Sequence, residues 1–358
     1  MKILSLGLDI QALDPTSQVA SRIRLIGQLV DFYTVIIPAH GDTYVKLNNQ
    51  AEVYAIGGSN KIVQLFKTGF FTYQILKARH YDLITVQDIY FLALIGFFLS
   101  WFFDKPLEVQ VHGFEKKTLI RLLISRFIFK KATGIRAVSH RLKKLLVGKY
   151  NIDDKKIYVI PIGIKDEGQV VTRRNYKTST PFNFLTVGRL VSVKRIDFLI
   201  KALTETFSEA DNIIFNIAGE GPDRSKLELL VDKLNPNFRV NFLGYQKNLN
   251  DEYQNADAFV FASKEEGWGL VLVEAALHGL PILTSDVGLV GEVLKPDEDV
   301  LVVSSKNIKD FGLGLRNLYE DPALREYLGQ NARKKVLNMP KAEDIVKSYV
   351  IAWQNLLG

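Results

Sequence analysis

Short apolar runs alternate with longer amphipathic stretches along the first half of the chain. The runs have the length and the β-branched content of buried strands, and the stretches between them repeat their apolar positions at helical spacing. The predicted strands are residues 3–8, 32–37, 83–86, 107–111, 135–138 and 157–160, and the predicted helices are residues 17–30, 61–79, 90–103 and 117–131. Such strict alternation predicts a parallel sheet with helices on both faces.

A second series of the same kind follows a polar segment, residues 165–181, where we place the domain linker. Its predicted strands are residues 183–187, 213–218, 240–243, 258–262, 282–284 and 300–303. The fold class is therefore α/β, with doubly wound domains at residues 1–164 and 182–341 and a ligand expected in the cleft at the carboxyl ends of the strands. Neither half has a G-x-G-x-x-G fingerprint after its first strand, which argues against an NAD dehydrogenase.

Composition limits the classes of protein. The chain has 358 residues, 47% hydrophobic and 24% charged, which is enough for two buried cores. It has no cysteine, which excludes disulfides, thiolate metal sites and cysteine nucleophiles and fits a reducing compartment. The N-terminus becomes charged again too soon for a signal peptide, so we expect a buried first strand there.

The longest uncharged stretch, residues 89–103, has 15 residues. That is fewer than a bilayer span requires, so we predict a buried helix. A segment that dips into lipid is the alternative, because Trp101, Phe102 and Phe103 end the stretch and aromatic residues favour the membrane interface.

The net charge of +7 is unevenly distributed. Residues 105–150 hold 12 Lys and Arg against two Glu, a net +10, which leaves −3 for the remainder. Within this segment, the predicted helix at residues 117–131 interleaves large apolar residues with the basic residues Lys117, Arg121, Arg126, Lys130 and Lys131. The pattern predicts a helix that lies on an anionic membrane surface. Nucleic acid ranks lower because no nucleic-acid motif accompanies the patch, and a solvated basic face remains the structural alternative.

Two carboxylates stand eight positions apart at Glu266 and Glu274. Gly267 and Gly269 allow the backbone to approach a ligand, and residues 270–277 read as a helix whose first N–H groups face the same ligand. Two acids at an anion-attracting helix start suit a ligand with hydroxyls at both ends and phosphate between, such as a nucleotide sugar. A pair of solvated helix acids is the alternative interpretation.

This block resembles the E-x7-E signature of glycosyltransferase family 4, the retaining nucleotide-sugar transferases of GT-B fold with two Rossmann-like domains. The resemblance implies that Glu266 holds the transferring sugar and Glu274 the ribose hydroxyls. It assigns Glu266 an essential but not a covalent role, since these enzymes are thought to react on one face of the sugar. It also implies contacts to sugar hydroxyls and phosphate from the backbone of Gly267, Trp268, Gly269 and Leu270.

A basic pair follows the first strand of the second domain. Alone, Arg189 and Lys194 would more often be salt-bridge partners, but the segment resembles the G-R-L…K motif of the family, with the same five-residue spacing from Arg to Lys. The resemblance implies that both bind the donor diphosphate. Arg195 stands where many members have glycine, so the local turn is expected to differ.

Weaker resemblances mark other segments. The loop with Gly219 and Gly221 resembles the G-x-G-P loop that lines the nucleotide pocket, and the segment with Gly244 and Tyr245 resembles the F-L-G segment whose backbone reads the base. His112 resembles the histidine of a v-H-g/d motif near the donor sugar, although a lone histidine is more often structural.

Two further segments bear on the first domain. Ser139 matches a v-S segment and is expected to cap a helix. The loop at residues 9–18 lacks the glycine pair that many members have there, which leaves Ser17 and Arg22 as minor candidates.

The resemblance predicts a retaining hexosyltransferase of cell-envelope polysaccharide or glycolipid synthesis. The donor would be UDP- or GDP-linked and the acceptor a saccharide or a lipid-linked saccharide, with no cofactor and no nucleic acid. The enzyme would be cytoplasmic and peripheral on the inner face of the membrane, with a C-terminal helix at about 342–358 that packs on the first domain. Metal independence is expected on the premise that the chain lacks an Asp-x-Asp motif. The alternatives are a nucleotide-sugar epimerase or phosphorylase of GT-B fold and a catalytically silent, membrane-docked partner subunit.

Overall fold

The computed structural model describes residues 1–113, 118–164, 176 and 180–358, and the chain divides into two compact units. The first unit comprises Met1–Lys165 and Pro340–Gly358, and the second comprises Asp166–Met339. The predicted linker at 165–181 lies almost wholly outside the described residues.

The first unit contains one eight-stranded sheet between helices. In chain order its elements are β1 (Lys2–Leu6), α1 (Gln18–Leu29), β2 (Phe32–Ala39), β3 (Thr43–Lys46), β4 (Ala51–Gly57), α2 (Lys61–Ala78), β5 (Leu83–Val86), α3 (Phe91–Phe103), β6 (Leu107–Val111), α4 (Leu119–Lys131), β7 (Gly134–Ala137), α5 (His140–Tyr150) and β8 (Ile157–Val159). The strand order is β3-β4-β2-β1-β5-β6-β7-β8, and every pair is parallel except β3 with β4.

The second unit contains a six-stranded, wholly parallel sheet. Its elements are β9 (Phe182–Val187), α6 (Ile196–Thr206), β10 (Ile213–Ala218), α7 (Arg224–Leu234), β11 (Arg239–Gly244), α8 (Asn250–Asn255), β12 (Ala258–Phe261), α9 (Leu270–Leu277), β13 (Ile282–Thr284), β14 (Leu301–Val302), α10 (Ile308–Glu320) and α11 (Pro322–Leu337). The strand order is β11-β10-β9-β12-β13-β14. The last helix, α12 (Ala342–Leu357), belongs to the first unit.

The α/β prediction is confirmed, but strict alternation in the first half is wrong. β3 and β4 form an antiparallel hairpin at one sheet edge, and no helix separates them from β2. Three of the four β3 residues are exposed, as suits an edge strand. A prediction built on strand–helix alternation therefore missed both strands.

Connection handedness assigns the helices of the first unit to the faces of its sheet. The crossovers from β4 to β5, β5 to β6 and β6 to β7 run in one direction along the sheet, and the crossover from β1 to β2 runs in the other. Since such connections are right-handed, α2, α3 and α4 cover one face and α1 the other. Helix α12 packs beside α1, where Ile345, Tyr349 and Trp353 join the buried cluster.

A buried polar network ties α12 to the centre of this sheet. The carboxylate of Glu108 on β6 accepts hydrogen bonds from the Thr85 and Tyr158 hydroxyls, and its Oε2 lies 2.9 Å from the Trp353 indole nitrogen. Burial and the Glu108 charge raise the pKa of Tyr158, so its phenol remains a donor. Buried Arg136 stacks 4.2 Å from the ring centroid of Tyr349 on α12.

Removing the indole donor should destabilise this unit. Trp353→Phe retains most of the ring packing and deletes one hydrogen bond to a buried carboxylate, so we expect a loss of about 1–2 kcal/mol in the free energy of unfolding. Far-UV circular dichroism during thermal unfolding measures it. Trp101→Phe, at an exposed position, is the matched control and should leave the transition unchanged. Equal midpoints for the two variants would contradict the proposed role of the network.

Candidate functional site

The loops at the carboxyl edge of the second sheet touch backbone to backbone. A Cβ on Gly219, after β10, would lie 2.0 Å from the carbonyl oxygen of Gly188, after β9. A Cβ on Gly221 would lie 2.3 Å from the carbonyl oxygen of Leu190. Real Cβ atoms do not approach so closely, so both positions require glycine. The predicted G-x-G-P loop thus packs directly against the loop that carries the predicted basic pair.

The structure brings Lys194 and Glu266 together across 72 residues of sequence. Lys194 Nζ lies 2.6 Å from Glu266 Oε1, and both side chains are mostly buried. The ammonium also lies 5.1 Å from the ring centroid of Phe261 at the end of β12. Two hydrogen bonds join the same loops, since the backbone N–H of Lys264 and the side-chain hydroxyl of Ser263 both donate to the carbonyl of Val193. The predicted sugar-binding acid and one predicted diphosphate-binding cation therefore form a single charged pair.

The other two cations of this loop differ in their surroundings. Arg189 is exposed directly after β9. Arg195 has a φ of 55°, the left-handed conformation that glycine adopts most readily, and its guanidinium lies 4.8 Å from the Phe198 ring centroid. Arg195 thus adopts the conformation that a glycine at this position would favour, and the expected difference in the turn stays a prediction.

The loop before α9 is held from behind by a glycine that the sequence analysis missed. A Cβ on Gly288, after β13, would lie 2.1 Å from the carbonyl oxygen of Trp268 and 3.3 Å from Glu266 Cβ. Leu289 N–H donates to the same Trp268 carbonyl over 2.8 Å. Gly269, with a φ of 88°, then turns the chain into α9, which begins at Leu270. No local pattern marks Gly288, because its partner is distant in sequence.

The Trp268 side chain is buried beneath this loop. Among the described residues its indole Nε1–H has no hydrogen-bond partner. The predicted ligand contact of this residue concerns its backbone, and the structure shows its side chain to be part of the loop's packing.

Glu274 is held by residues that the sequence analysis missed. The hydroxyl of Tyr253 on α8 lies 2.8 Å from Glu274 Oε2, and its ring stacks on His278, with centroids 5.0 Å apart. Burial and the nearby Glu274 charge raise the pKa of Tyr253 well above its usual value, so the phenol stays protonated and donates. Glu274 itself is half-buried on α9. Its carboxylate is thus oriented by a fixed donor rather than mobile in solvent.

Charged groups also surround the predicted base-side segment. Gly244 has a φ of 72°, and a Cβ there would lie 3.1 Å from Glu220 Oε1. Arg224 donates to the carboxylate of Glu220, and its Nε lies 2.8 Å from Glu228 Oε1. Tyr245 follows with an exposed ring.

In the first unit, His112 directly follows β6, as predicted, and its imidazole is exposed. Surrounding protein atoms desolvate it, and the guanidinium groups of Arg136 and Arg22 repel a further positive charge, so its pKa lies below the usual 6.5. Solvent exposure moderates this effect without reversing its direction. A neutral imidazole at pH 7 can both donate and accept a hydrogen bond.

Two predicted minor positions of the first unit cap helices. The Ser139 hydroxyl accepts a hydrogen bond from Leu142 N–H over 3.1 Å at the start of α5, which confirms the predicted cap. Ser17 caps α1 in the same way, through Ala20 N–H at 3.0 Å.

The predicted membrane-surface cations are not equivalent. Lys117 lies outside the described residues. Arg121 is half-buried with its guanidinium 4.9 Å from the Tyr90 ring centroid, whereas Arg126, Lys130 and Lys131 are exposed on α4. None of the helices in the described part of the chain is both long enough and apolar enough to cross a bilayer.

The premise that the chain lacks an Asp-x-Asp motif is wrong, because Asp297, Glu298 and Asp299 form one. This motif belongs to a turn before β14. Asp297 has a φ of 60°, and buried Asp299 accepts a hydrogen bond from Lys295 N–H over 2.9 Å. Within the described ranges, no group of three or more His, Asp and Glu side chains is arranged to hold a metal ion.

Two family profiles together span most of the chain. The profile for glycosyl transferases group 1 matches residues 171–335, and the profile for Glycosyltransferase Family 4 matches residues 31–167. The chain belongs to glycosyltransferase family 4. The family resemblance predicted from the E-x7-E block is thereby confirmed.

Curated relatives match this family 4 chain in part. The GtfA subunit of UDP-N-acetylglucosamine–peptide N-acetylglucosaminyltransferase from Streptococcus agalactiae is 35% identical over 164 residues, which are 46% of this chain and 31% of the relative. The lipopolysaccharide core biosynthesis glycosyltransferase LpsD from Rhizobium meliloti is 30% identical over 181 residues, 50% of this chain and 52% of the relative. The match thus spans about a third to a half of these relatives.

A solved structure shows the same fold over the full chain. HepE from Anabaena, crystallised with UDP and glucose, superposes with a TM-score of 0.79 at 17% identity, and the match covers 99% of this chain and 100% of that one. The predicted GT-B fold of two Rossmann-like units is confirmed.

Two substitutions at Arg195 test whether its backbone has the left-handed conformation. Arg195→Gly and Arg195→Ala both remove the contact with Phe198, but only alanine retains a Cβ in the left-handed conformation. We expect the glycine variant to be more stable by about 1 kcal/mol, measured as the difference in unfolding free energy. Alanine equal to or above glycine would contradict a native left-handed backbone at this position.

The lowered pKa of His112 predicts a pH effect on stability. The unfolded imidazole takes up a proton near pH 6.5, whereas the folded one resists it, so the folded state loses stability as the pH falls from 7 to 5. His112→Gln removes this contribution. The melting temperature of the variant should therefore fall less than that of the parent protein over this range. An identical decrease in both proteins would show that the folded imidazole titrates normally.

Proposed function

We propose that this chain is a retaining, metal-independent hexosyltransferase that uses a nucleotide-diphosphate sugar. The Lys194–Glu266 pair carries the proposal, because it joins a cation and an acid in two loops that hydrogen bonds from Lys264 N–H and the Ser263 hydroxyl to the Val193 carbonyl hold together. The UDP in the HepE crystals and in the name of the GtfA relative supports a UDP-linked donor.

The proposed chemistry centres on the departing diphosphate. As the bond from the sugar C1 to the phosphate oxygen breaks, negative charge grows on that oxygen, and Lys194 and Arg189 stabilise it. The acceptor hydroxyl bonds to C1 on the same face, and its proton passes to the leaving phosphate oxygen. Glu266 accepts hydrogen bonds from sugar hydroxyls and orients the ring, with no covalent bond to it. The carboxylate of Glu274, which Tyr253 holds in place, accepts hydrogen bonds from the ribose hydroxyls.

We assign to His112 contact with the donor sugar, as family resemblance implies. Its lowered pKa supports this role, because a neutral imidazole can accept or donate a hydrogen bond to a sugar hydroxyl at pH 7. The base would meet the backbone near Gly244 and the ring of Tyr245.

The proposed acceptor is a saccharide or lipid-linked saccharide of the cell envelope. The name of the LpsD relative, from lipopolysaccharide core biosynthesis, supports this assignment. An acceptor of this kind is made at a membrane, so we place the enzyme peripherally on the inner face.

Charge-removing substitutions test the proposal. Lys194→Ala and Glu266→Gln should each lower the turnover of a UDP-sugar by about 100- to 1,000-fold, because each removes a group that acts in the transition state. Glu265→Gln is the matched control, an exposed acid beside Glu266 in the same loop, and should retain parental turnover. Release of UDP, measured across a panel of UDP- and GDP-sugars with a lipopolysaccharide-type acceptor, provides the readout.

The same assay separates the alternatives. Parental turnover by Glu266→Gln would refute the catalytic assignment, and no turnover by the parent protein would favour a silent subunit. Epimerisation of the donor without acceptor, or glycan cleavage that requires phosphate, would favour the other two activities. Loss of turnover in EDTA would contradict metal independence, and an inverted anomeric configuration, seen by NMR, would contradict retention.

A further inference from the structure

Three neighbouring helices of the first unit form one continuous apolar surface. Helix α3 packs between α2 and α4 on the same face of the sheet. The ring of Tyr73 on α2 lies 5.6 Å from that of Phe102 on α3, and the ring of Phe97 on α3 lies 4.9 Å from that of Phe127 on α4. The helices therefore meet through aromatic contacts, with no polar seam at these points.

The outer side of α2 contributes a stripe of large side chains. Ile62, Phe66 and Phe70 recur every four residues and are all exposed. This spacing places them on one face of the helix. The opposite face, with Gln64, Thr68 and Thr72, is buried instead. The exposed stripe is therefore apolar where a solvated helix would be polar.

Helix α3 presents aromatic residues outward and has no charged residue along its length. Phe91, Phe98, Trp101 and Phe102 are exposed, although the helix already buries Leu92 and Leu99 on its inner side. The predicted buried helix therefore describes only the inner face of this segment, and its outer face is the one that could contact lipid.

Helix α4 completes the surface with four exposed apolar side chains, Leu119, Ile120, Leu123 and Phe127. We call the exposed apolar side chains of α2, α3 and α4 the three-helix face. Contiguous apolar patches of this extent on a protein surface mark interaction sites.

The charged residues within the three helices all have the same sign, and the exposed Asp104 lies just beyond the end of α3. Helix α2 carries three Lys, α4 carries two Arg and two Lys, and none of the three helices contains Asp or Glu. Lys67, Lys77, Arg126, Lys130 and Lys131 are exposed. The partner must therefore combine an apolar interior with a negative surface, which is the chemistry of an anionic lipid leaflet.

We propose that the three-helix face docks this unit on an anionic bilayer, with the α3 aromatics among the lipid headgroups and acyl chains and the lysines and arginines of α2 and α4 on the phosphates. This deepens the peripheral membrane location in the proposed function by naming the surface and its mode of insertion. Self-association through the same face is disfavoured, because it would bring two surfaces of like charge together.

Trp101 provides a built-in probe. It is 74% exposed, whereas the other two tryptophans, Trp268 and Trp353, are 5% and 1% exposed. Vesicles of phosphatidylglycerol and phosphatidylcholine with brominated acyl chains should quench a large part of the fluorescence of the full chain. Quenching should be lost with pure phosphatidylcholine and reduced at high salt. Trp101→Phe should abolish the quenching and still sediment with the anionic vesicles.

Paired variants test the two components of the surface. Phe98→Ser with Phe102→Ser should abolish quenching, and Lys130→Glu with Lys131→Glu should weaken vesicle binding at least 25-fold, at roughly fivefold per removed positive charge. Leu313→Ser is the matched apolar control, and Lys309→Glu with Lys334→Glu is the matched charge control. All three positions are exposed on the second unit, and these variants should bind vesicles as the parent does.

Three outcomes would overturn the surface assignment. They are the absence of quenching in anionic vesicles, sedimentation with Trp101 unquenched, and a stable dimer in solution that shields Trp101 from acrylamide without vesicles. UDP-sugar turnover without vesicles is measured on the same samples. Quenching without turnover would refute the proposed activity and support the docking surface. Turnover without quenching would support the activity and refute the docking surface.

Discussion

Backbone contact between loops is the constraint on which the candidate site depends. Gly219 packs on Gly188, Gly221 on Leu190 and Gly288 on Trp268, in each case with no room for a Cβ. These contacts join the loop after β9 to the loop after β10, and the loop after β12 to the loop after β13. The loops that carry Lys194 and Glu266 are joined in turn by the hydrogen bond from Lys264 N–H to the Val193 carbonyl, so the two side chains can form a short ion pair. The glycine contacts and this hydrogen bond together hold two sequence-distant motifs in one charged group.

The sequence predicted those strands and helices whose formation is determined by neighbouring residues. Residues 83–86, 107–111, 213–218 and 282–284 are strands with the predicted bounds, because each is a short, mainly apolar segment of strand length. The β3–β4 hairpin escaped because it breaks the strand–helix alternation. Tyr253, which orients Glu274, escaped because it lies 21 residues away, and no periodicity links a helix tyrosine to a distant carboxylate.

The burial of charged residues in the first unit was likewise not predictable from sequence, because it depends on contacts between distant residues. The +10 of residues 105–150 does not show which charges are buried. Arg136 and Glu108 lie in the buried network under α12, and because their charges cancel they leave the +10 unchanged. Buried charges must be satisfied by hydrogen bonds within the protein, so these two contribute to fold specificity rather than to partner binding. Arg136 also lowers the pKa of His112. What remains at the surface is concentrated on α4 and α5.

The buried polar network and the three-helix face of the first unit therefore lie on different sides of one sheet. The network of Glu108, Arg136 and Trp353 connects the sheet to α12 and lies below His112 at the end of β6. The three-helix face lies on the side that α2, α3 and α4 cover, and α12 lies on the other. Membrane attachment through α3 would thus leave the α12 side of the sheet uncovered by lipid. Substitutions on the outer side of α3 should consequently alter the proposed membrane attachment without changing the ionisation of His112.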